Sequence, residues 1–203
     1  MRLLLATRNA KKLSELRRIL ASSDLGDAHV LGLDDVPPFP EAPETAATFE
    51  ENALAKARDA AASTGLPTVA DDSGLEVDAL GGMPGVLSAR WAGRHGDDAA
   101  NLQLVLDQLT DVPDDRRGAA FVCAAALVVP SVGDITHTVV RGYWRGTLTR
   151  AARGHHGFGY DPIFVPRGDR RTSAELDPAE KDAVSHRAQA LRALLPALRA
   201  LIS

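Results

Sequence analysis

The stretch MRLLLATRNAKKLSELRRIL, residues 1–20, opens the chain with an apolar run, a short polar segment and an amphipathic segment. Residues 2–6 predict a short buried strand. A signal peptide is disfavoured, because polar residues from Thr7 onwards end the apolar run and no cleavage pattern follows them. Leucine and isoleucine then recur at helical spacing between Leu13 and Leu20, so we expect a helix directly after the strand.

Two further helices are predicted from capping and spacing. Thr48, with Glu51 three residues later, has the form of a capping box at a helix start. The alanine-rich stretch that follows predicts a helix up to Ser63, and Gly65 is a typical stop signal. Leucine and valine at helical spacing in residues 102–109 indicate another amphipathic helix.

Strands are predicted among these helices. Residues 67–70 indicate a short strand, and residues 119–129 and 135–144 indicate two long strands joined by a turn at residues 130–134, as in a hairpin. Helices alternating with strands, together with a hairpin, indicate an α/β fold with a mixed sheet. The order of the strands in that sheet does not follow from the pattern.

The C-terminal part is predicted to be helical. Asp177 followed by Pro178 is a helix start with proline at the first helical position. Pro196 lies in the final helical stretch, where proline is expected to kink or interrupt the helix. No linker marks a boundary, so residues 1–203 are expected to form a single domain, which at this length can have two lobes.

Bulk properties restrict the class of function. The formal net charge is −4 and no basic block dominates, which disfavours nucleic acid as the main partner. No stretch approaches the roughly 18 uninterrupted apolar residues of a membrane helix, so no membrane partner is expected. The single cysteine, Cys123, excludes an internal disulfide and fits a cytoplasmic protein. Its apolar neighbours favour a core residue over a nucleophile.

Residues 7–12, Thr-Arg-Asn-Ala-Lys-Lys, lie between the first predicted strand and the first predicted helix. Unpaired backbone N–H groups at a helix N-terminus favour anions, so this segment is a candidate phosphate site. Thr7 and Asn9 can add hydrogen bonds, and Lys12 can add a full positive charge. The alternative is that Thr7 or Asn9 only caps the helix and that the lysines are solvated.

Carboxylates and a lysine are candidates for metal and phosphate chemistry. Asn52 and Lys56 are four residues apart and share one face of a predicted helix. The alternative is that Lys56 is a surface lysine on an alanine-rich helix. Asp71-Asp72-Ser73-Gly74 is predicted to end a strand, where carboxylates can bind Mg²⁺ or orient an attacking water. The alternative is an Asx turn with capping aspartates. Glu44 is a possible second metal ligand, although nothing local separates it from Glu41.

The loop of residues 154–161, Gly-His-His-Gly-Phe-Gly-Tyr-Asp, combines three glycines with two aromatic residues. Glycine allows a close approach to a flat ligand, and Phe158 or Tyr160 is a candidate for stacking on a base. The alternative is a strand turn with both aromatic side chains packed inwards. His155 and His156 lack the helical spacing of metal ligands, so we interpret them as solvated.

Polar residues near the C-terminus form a further candidate set. Lys181 and Ser185 are four residues apart, and His186 and Arg187 can donate hydrogen bonds to ring oxygens and phosphates. The alternative is a polar helix surface in which Ser185 begins a new helical turn. A serine nucleophile is disfavoured, because adjacent residues on a helix point apart.

The order and spacing of these motifs resemble the inosine triphosphate pyrophosphatase family, the pyrophosphatases of non-canonical purine nucleoside triphosphates, and in particular its bacterial members. The likeness runs from Leu4 to about Ala190. The matching motifs are Thr7-x-Asn9-x-x-Lys12, Thr48-Phe49-x-Glu51-Asn52-Ala53-x-x-Lys56-Ala57, Ala70-Asp71-Asp72-Ser73-Gly74-Leu75, Gly82-x-Pro84-Gly85, Ser88-Ala89-Arg90, Gly157-Phe158-Gly159-Tyr160-Asp161-Pro162 and Ser185-His186-Arg187.

The resemblance implies both a fold and an activity. It implies an α/β protein with a long mixed sheet flanked by helices and two lobes around a central nucleotide-binding cleft, similar to Maf proteins, and it implies a homodimer. The implied reaction is the Mg²⁺-dependent hydrolysis of ITP, dITP or XTP between the α and β phosphates. Its products are the monophosphate and pyrophosphate, so it removes deaminated purines from the nucleotide pool.

The resemblance also implies roles for individual residues. Asp72 corresponds to the catalytic carboxylate and to a metal ligand, and Glu44 to a second metal ligand. Arg187, His186 or a backbone N–H of the Phe158 loop is expected to donate to the oxygen at position six of the purine, which adenine lacks. The positions implied to bind substrate are Thr7, Asn9, Lys12, Lys56, Ser73, Phe158, Gly159, Tyr160, Asp161, Lys181, His186 and Arg187.

Two positions depart from the family pattern. Arg8 and Lys11 stand where the family often has glycine or another small residue, and they can add positive charge to the candidate phosphate segment, residues 7–12.

Three other classes of function stay open. They are a pyrophosphatase for a modified pyrimidine or a canonical deoxynucleotide, a nucleotide-binding module without turnover, and a nucleic-acid-binding protein. Asp72, Lys12 and Lys56 argue against the second class, and the net charge argues against the third.

Overall fold

The computed structural model describes residues 1–23, 29–40, 43–131 and 134–201. Within them the strands are β1 Arg2–Leu5, β2 His29–Leu31, β3 Thr68–Val77, β4 Gly118–Ser131, β5 Asp134–Leu148 and β6 Phe164–Pro166. The α-helices are α1 Ala10–Ala21, α2 Phe49–Thr64, α3 Asp98–Gln108, α4 Pro178–Val184 and α5 His186–Arg199. None of these helices is both long and apolar enough to cross a membrane.

The strands form one mixed sheet in the order β2-β1-β3-β4-β5-β6. β1 pairs in parallel with β2 and β3, whereas β6 pairs antiparallel with β5. The prediction of an α/β fold with a mixed sheet is therefore confirmed. β4 and β5 are consecutive in the chain and adjacent in the sheet, as the predicted hairpin requires; residues 132 and 133 of its predicted turn lie outside the described residues.

Local sequence signals account for the helix ends. Asn9 caps α1, with its side-chain oxygen accepting from the N–H of Lys11 at 3.0 Å and of Lys12 at 3.1 Å. The Thr48 hydroxyl accepts from the N–H of Glu51 at the start of α2. Gly65 ends α2 with φ of 68°, a left-handed conformation that glycine adopts at little cost.

The strand predicted at residues 67–70 is longer than expected. β3 continues to Val77, so Asp71-Asp72-Ser73-Gly74 lies inside an extended strand, and the interpretation of these residues as a strand end or an Asx turn is wrong. Within this strand, Gly74 occupies a position with no room for a side chain. A Cβ at Gly74 would clash with the Ser88 hydroxyl and would lie 2.5 Å from the Gly85 carbonyl oxygen.

An interruption at Pro196 is not observed, whereas the alternative of a kink stays a prediction. Helix α5 runs through Pro196 to Arg199. Proline removes one backbone hydrogen bond, but Leu194 and Leu198 on either side are fully buried and anchor the last turn in the core. The helix break falls instead at Ser185, whose ψ of 161° separates α4 from α5.

The chain divides into two compact units. The first unit comprises Met1–Asp72, Cys123–Gly142 and Arg187–Ser203, and the second comprises Ser73–Val122 and Tyr143–His186. Cys123 is buried in the apolar core of the first unit, as its sequence neighbours predicted. The core of the second unit is richer in aromatic residues, and its members include Phe121, Trp144, Tyr160 and Phe164.

Candidate active site

Lys56 lies in a charged cluster of the first unit. Its Nζ donates to Glu44 Oε1 at 2.7 Å and to the carbonyl oxygen of Asp71 at 2.7 Å, and it lies 3.7 Å from Asp72 Oδ1. One turn earlier on α2, Asn52 Nδ2 donates to Asp72 Oδ2 at 3.0 Å. The predicted shared face of Asn52 and Lys56 is confirmed, because both side chains reach the same carboxylate.

Asp71 has a different set of partners. Its Oδ2 lies 3.1 Å from Lys12 Nζ and accepts from Arg187 Nε at 3.4 Å. Arg187 also pairs with the buried Glu15 of α1. Side chains of consecutive strand residues point to opposite faces, which explains why Asp71 and Asp72 contact different cations.

In residues 7–12, the candidate phosphate segment, the capping interpretation is confirmed, and phosphate binding stays a prediction. Asn9 caps α1, and the Thr7 hydroxyl accepts from the N–H of Asn9 at 3.3 Å. The lysines were alternatively interpreted as solvated, but for Lys12 this is wrong, because its side chain is only 14% exposed and is paired with Asp71.

Burial and charge shift the two aspartates in opposite directions. Burial alone would raise the pKa of Asp71, but the charges of Lys12 and Arg187 outweigh burial and hold that pKa well below its usual range. Burial raises the pKa of Asp72, and the Lys56 charge opposes this only in part. For Lys56 burial acts to lower the pKa, yet the attraction of Asp72 and Asp71 is stronger, so its pKa is raised.

Asp72 and Glu44 suit a hard cation. An oxygen of each carboxylate lies close to the Lys56 ammonium, so the two carboxylates are near each other. Magnesium prefers oxygen ligands of this kind. Within the described ranges, no three or more His, Cys, Asp or Glu side chains are arranged to hold a metal ion by themselves. A pair of carboxylates that leaves coordination positions for phosphate and water is the usual protein contribution to a magnesium–nucleotide site. Glu41, which the sequence does not distinguish from Glu44 as a metal ligand, lies outside the described residues.

Asp161 organises the glycine-rich loop of the second unit. Its Oδ2 accepts from the N–H of Phe158 at 2.8 Å and from Lys181 Nζ at 2.6 Å, and its Oδ1 accepts from the Ser173 hydroxyl at 2.7 Å. The Lys181 ammonium also lies 5.3 Å from the centre of the Phe158 ring. Asp161 and Lys181 are both buried, so the loop and α4 are held together by a desolvated ion pair.

The two aromatic residues of this loop differ in their surroundings. Tyr160 packs into the core, and its hydroxyl donates to the Ser88 carbonyl oxygen at 2.8 Å, as the inward-packed alternative predicted. Phe158 is only half-buried. The N–H of Gly159 donates to Asp98 Oδ2 at 3.1 Å, which fixes the loop at a second point.

The remaining predicted residues of the second unit take varied positions. Ser73 is half-buried in β3, and His186 is buried at the start of α5 beside two aromatic rings. Ser185 caps the end of α4, so a new helix begins after it, as the alternative interpretation held. His155 and His156 are exposed, in agreement with their interpretation as solvated residues.

Sequence reasoning gave no role to several residues that hold these groups in place. Asp98 and Ser173 carry no local signal beyond their polar character. Glu15 lies on the apolar face of α1 next to Leu16, and a charged residue in that position indicates a buried partner. Asp71 was part of a recognised motif, but its pairing with Lys12 and Arg187 joins distant parts of the chain.

The sheet and the lysine–carboxylate cluster define an α/β protein with a site suited to a phosphate-bearing ligand and a divalent cation. Comparison with known proteins makes the assignment specific. The Ham1 family matches residues 3–197, and the chain belongs to this family.

Two relatives that match most of the chain are named dITP/XTP pyrophosphatases. A dITP/XTP pyrophosphatase of Nocardia farcinica is 68% identical over 200 residues, covering 98% of this chain and 96% of the relative. The crystal structure of a nucleoside-triphosphatase, a dITP/XTP pyrophosphatase of Mycobacterium abscessus, is 62% identical, covers 97% of this chain and 100% of its own, and has a TM-score of 0.76. A HAM1 protein structure from Coxiella burnetii is 43% identical, covers 98% of both chains and has a TM-score of 0.84. The resemblance inferred from the sequence motifs is confirmed.

Proposed function

We propose that this protein hydrolyses the non-canonical purine nucleoside triphosphates dITP, XTP and ITP between the α and β phosphates. The products are the nucleoside monophosphate and pyrophosphate, so the reaction removes deaminated purines from the nucleotide pool. One observation carries the proposal. Lys12, Lys56 and Asp72 lie at the positions of the family motifs and belong to one charged cluster in the first unit. The names of the relatives support the choice of substrate.

Asp72 is proposed to be the catalytic carboxylate. Burial raises the pKa of this carboxyl, which makes it a stronger base than an exposed aspartate. Lys12 and Lys56 would stabilise charge that develops on the bridging and leaving phosphate oxygens during in-line attack on the α-phosphorus. Catalysis would then rest mainly on positioning and electrostatics.

Asp72 and Glu44 are proposed to hold Mg²⁺ together with substrate phosphate oxygens. The bound ion would supply Lewis-acid stabilisation of phosphate charge. Lys56 lies against both carboxylates, and its ammonium would hold them near each other while it faces the phosphates. Asn52 fixes the orientation of Asp72 through its hydrogen bond to Oδ2.

The other predicted residues are proposed to bind the nucleotide. Thr7 and Asn9 would shape the phosphate segment, and Ser73 would contact the nucleotide. Phe158 and Gly159 would border the base, whereas Tyr160 and Asp161, which are bonded within the second unit, would act by fixing the loop. Lys181, His186 and Arg187 would contribute donors and positive charge.

Base selection would depend on a donor that faces position six of the purine. Hypoxanthine and xanthine carry an oxygen there, whereas adenine carries an amine, so adenine would leave that donor unpaired. An unpaired buried donor costs about 1–3 kcal/mol, and discrimination by hydrogen bonds can be steep. Guanine also carries an oxygen at position six, so its 2-amino group must be rejected separately.

Three features of the whole protein complete the proposal. Residues 1–203 would act as a single domain with two lobes, the chain would form a homodimer, and the protein would work in the cytoplasm. The match to a relative over 98% of this chain supports the single domain. The family resemblance supports the homodimer, and the single cysteine supports the cytoplasmic location.

A substrate panel tests the proposal. Pyrophosphate release would be measured from ITP, XTP, dITP, ATP and GTP, with Mg²⁺ and with EDTA. We expect strong release from ITP, XTP and dITP, little from ATP and GTP, and almost none in EDTA. Equal activity on all five nucleotides would remove the specificity claim, and no release from any would favour a modified-pyrimidine substrate or a binding module.

A further inference from the structure

His186 packs against aromatic rings from two adjacent strands. Its imidazole lies nearly parallel to the Phe121 ring of β4, with centroids 4.9 Å apart and an interplanar angle of 13°. It is also nearly parallel to the Trp144 ring of β5, at 6.5 Å and 18°. All three side chains are buried and belong to the second unit.

The two rings are themselves fixed by their surroundings. Phe164 of β6 packs against Phe121 at 4.6 Å and against Trp144 at 5.4 Å, both in tilted geometry. The three strands are neighbours in the sheet, so these rings form one aromatic layer of the core. Such a layer is rigid, because each ring fills space that the others define.

This packing restricts the imidazole. Partial rotation about the Cβ–Cγ bond of His186 would turn the ring out of its nearly parallel alignment with both neighbours and would lose the stacking contacts. Because the stacking fixes the ring plane, the two ring nitrogens can donate or accept only within that plane, before any ligand binds.

We propose that Phe121 and Trp144 are positioning residues that hold the His186 imidazole in the orientation in which it binds the nucleotide. The inference rests on the proposed function of His186 as a substrate-binding residue. A pre-oriented donor lowers the entropy cost of binding, so losing the stack weakens substrate binding more than it slows the chemical step.

Kinetics with XTP test this role. We expect Phe121→Leu and Trp144→Leu to raise KM about three- to tenfold while kcat stays within about twofold of wild type. Trp144→Phe keeps an aromatic ring and should restore most of the affinity. Val105→Ala, a substitution elsewhere in the same core, controls for loss of stability and should leave KM unchanged. Unchanged KM in both leucine variants of an active enzyme would overturn the inference.

A double-mutant cycle separates positioning from general damage. In a His186→Ala background, Trp144→Leu should add no further increase in KM, because its effect passes through the imidazole. The same increase in both backgrounds would show a purely structural role and overturn the inference. Failure of the proposed function would be recognised separately, as absence of pyrophosphate release from the wild-type enzyme.

An NMR measurement reports on the stack without turnover. The ring C–H signals of His186, assigned by their loss in His186→Ala, should be shifted upfield by the neighbouring rings. Trp144→Leu should move them towards the shifts of an exposed histidine such as His155. Signals that already have exposed-histidine shifts in the wild-type protein would show that the stack is absent in solution and would overturn the inference.

Discussion

Asp71 and Asp72 are adjacent in β3 but lie in different electrostatic environments. Asp71 is almost completely buried and carries its charge because Lys12 and Arg187 stabilise it. Asp72 is in contact with Lys56, but burial still raises the pKa of its carboxyl. Asp71 therefore stays charged and pairs with these two cations, whereas the raised pKa of Asp72 agrees with its proposed role as a proton acceptor.

Asp72→Asn tests this division of roles. The amide keeps the size of the side chain but neither accepts a proton nor carries a charge, so we expect kcat for XTP to fall roughly 10²- to 10⁴-fold. Circular dichroism and thermal unfolding should show a folded protein. Asp115→Asn removes an exposed carboxylate and should keep wild-type turnover. A folded Asp72→Asn enzyme with near-normal kcat would exclude Asp72 as the catalytic carboxylate.

The glycine-rich loop before β6 owes its conformation to contacts with other elements. Asp98 of α3 accepts from Gly159, the Tyr160 hydroxyl donates to Ser88, and Asp161 pairs with Lys181 of α4. Burial raises the pKa of Tyr160, so its hydroxyl stays protonated and keeps donating. Glycine permits many backbone conformations, so the glycines alone do not fix the loop. Its contacts with α3, the Ser88 carbonyl and α4 do.

Tyr160→Phe removes one of these contacts and nothing else. The buried Ser88 carbonyl loses its donor, so the free energy of unfolding should fall by about 1–3 kcal/mol, measured by urea denaturation. We expect KM for XTP to rise, because Phe158 is less well placed. Tyr143, the other tyrosine of the chain, is 36% exposed. Tyr143→Phe should change neither quantity, and equal effects of the two substitutions would contradict the anchoring role.

Acid stability is a property of the folded chain as a whole, because it depends on carboxylates whose pKa values folding changes. The pKa of Asp71 is lower in the folded protein than its ordinary value of 3.8. The unfolded chain therefore binds a proton at Asp71 more readily than the folded protein does. The stability that this carboxylate contributes is present above its unfolded pKa and is lost as the pH falls below it.

We accordingly expect the free energy of unfolding to decrease as the pH is lowered from roughly 5 to 3. The slope should be shallower in Asp71→Asn, which has no carboxyl to titrate at this position. Glu180→Gln is a suitable comparison, because the pKa of Glu180 is also lowered but its side chain is exposed and contributes little. Parallel slopes in wild type and Asp71→Asn would show that Asp71 does not govern acid stability.

Signals within a few residues of each other were sufficient to predict much of the fold and part of the site. Helical spacing predicted α1 and α3, and the Thr48 cap and Gly65 marked both ends of α2. The four-residue spacing of Asn52 and Lys56 placed both on one face. These predictions hold because caps and periodicity act between neighbouring residues, whatever the rest of the chain does.

Longer-range contacts decided the features that local patterns misjudged or did not reach. Asp71-Asp72-Ser73-Gly74 has the composition of a turn, yet it lies inside β3, where the Ser88 segment packs closely against Gly74. Lys12 has the sequence context of a solvated lysine, yet it is paired with Asp71. Glu15 meets Arg187 across 172 positions of sequence. Burial and pairing of charged groups depend on which distant segments pack together, and no local pattern contains that information.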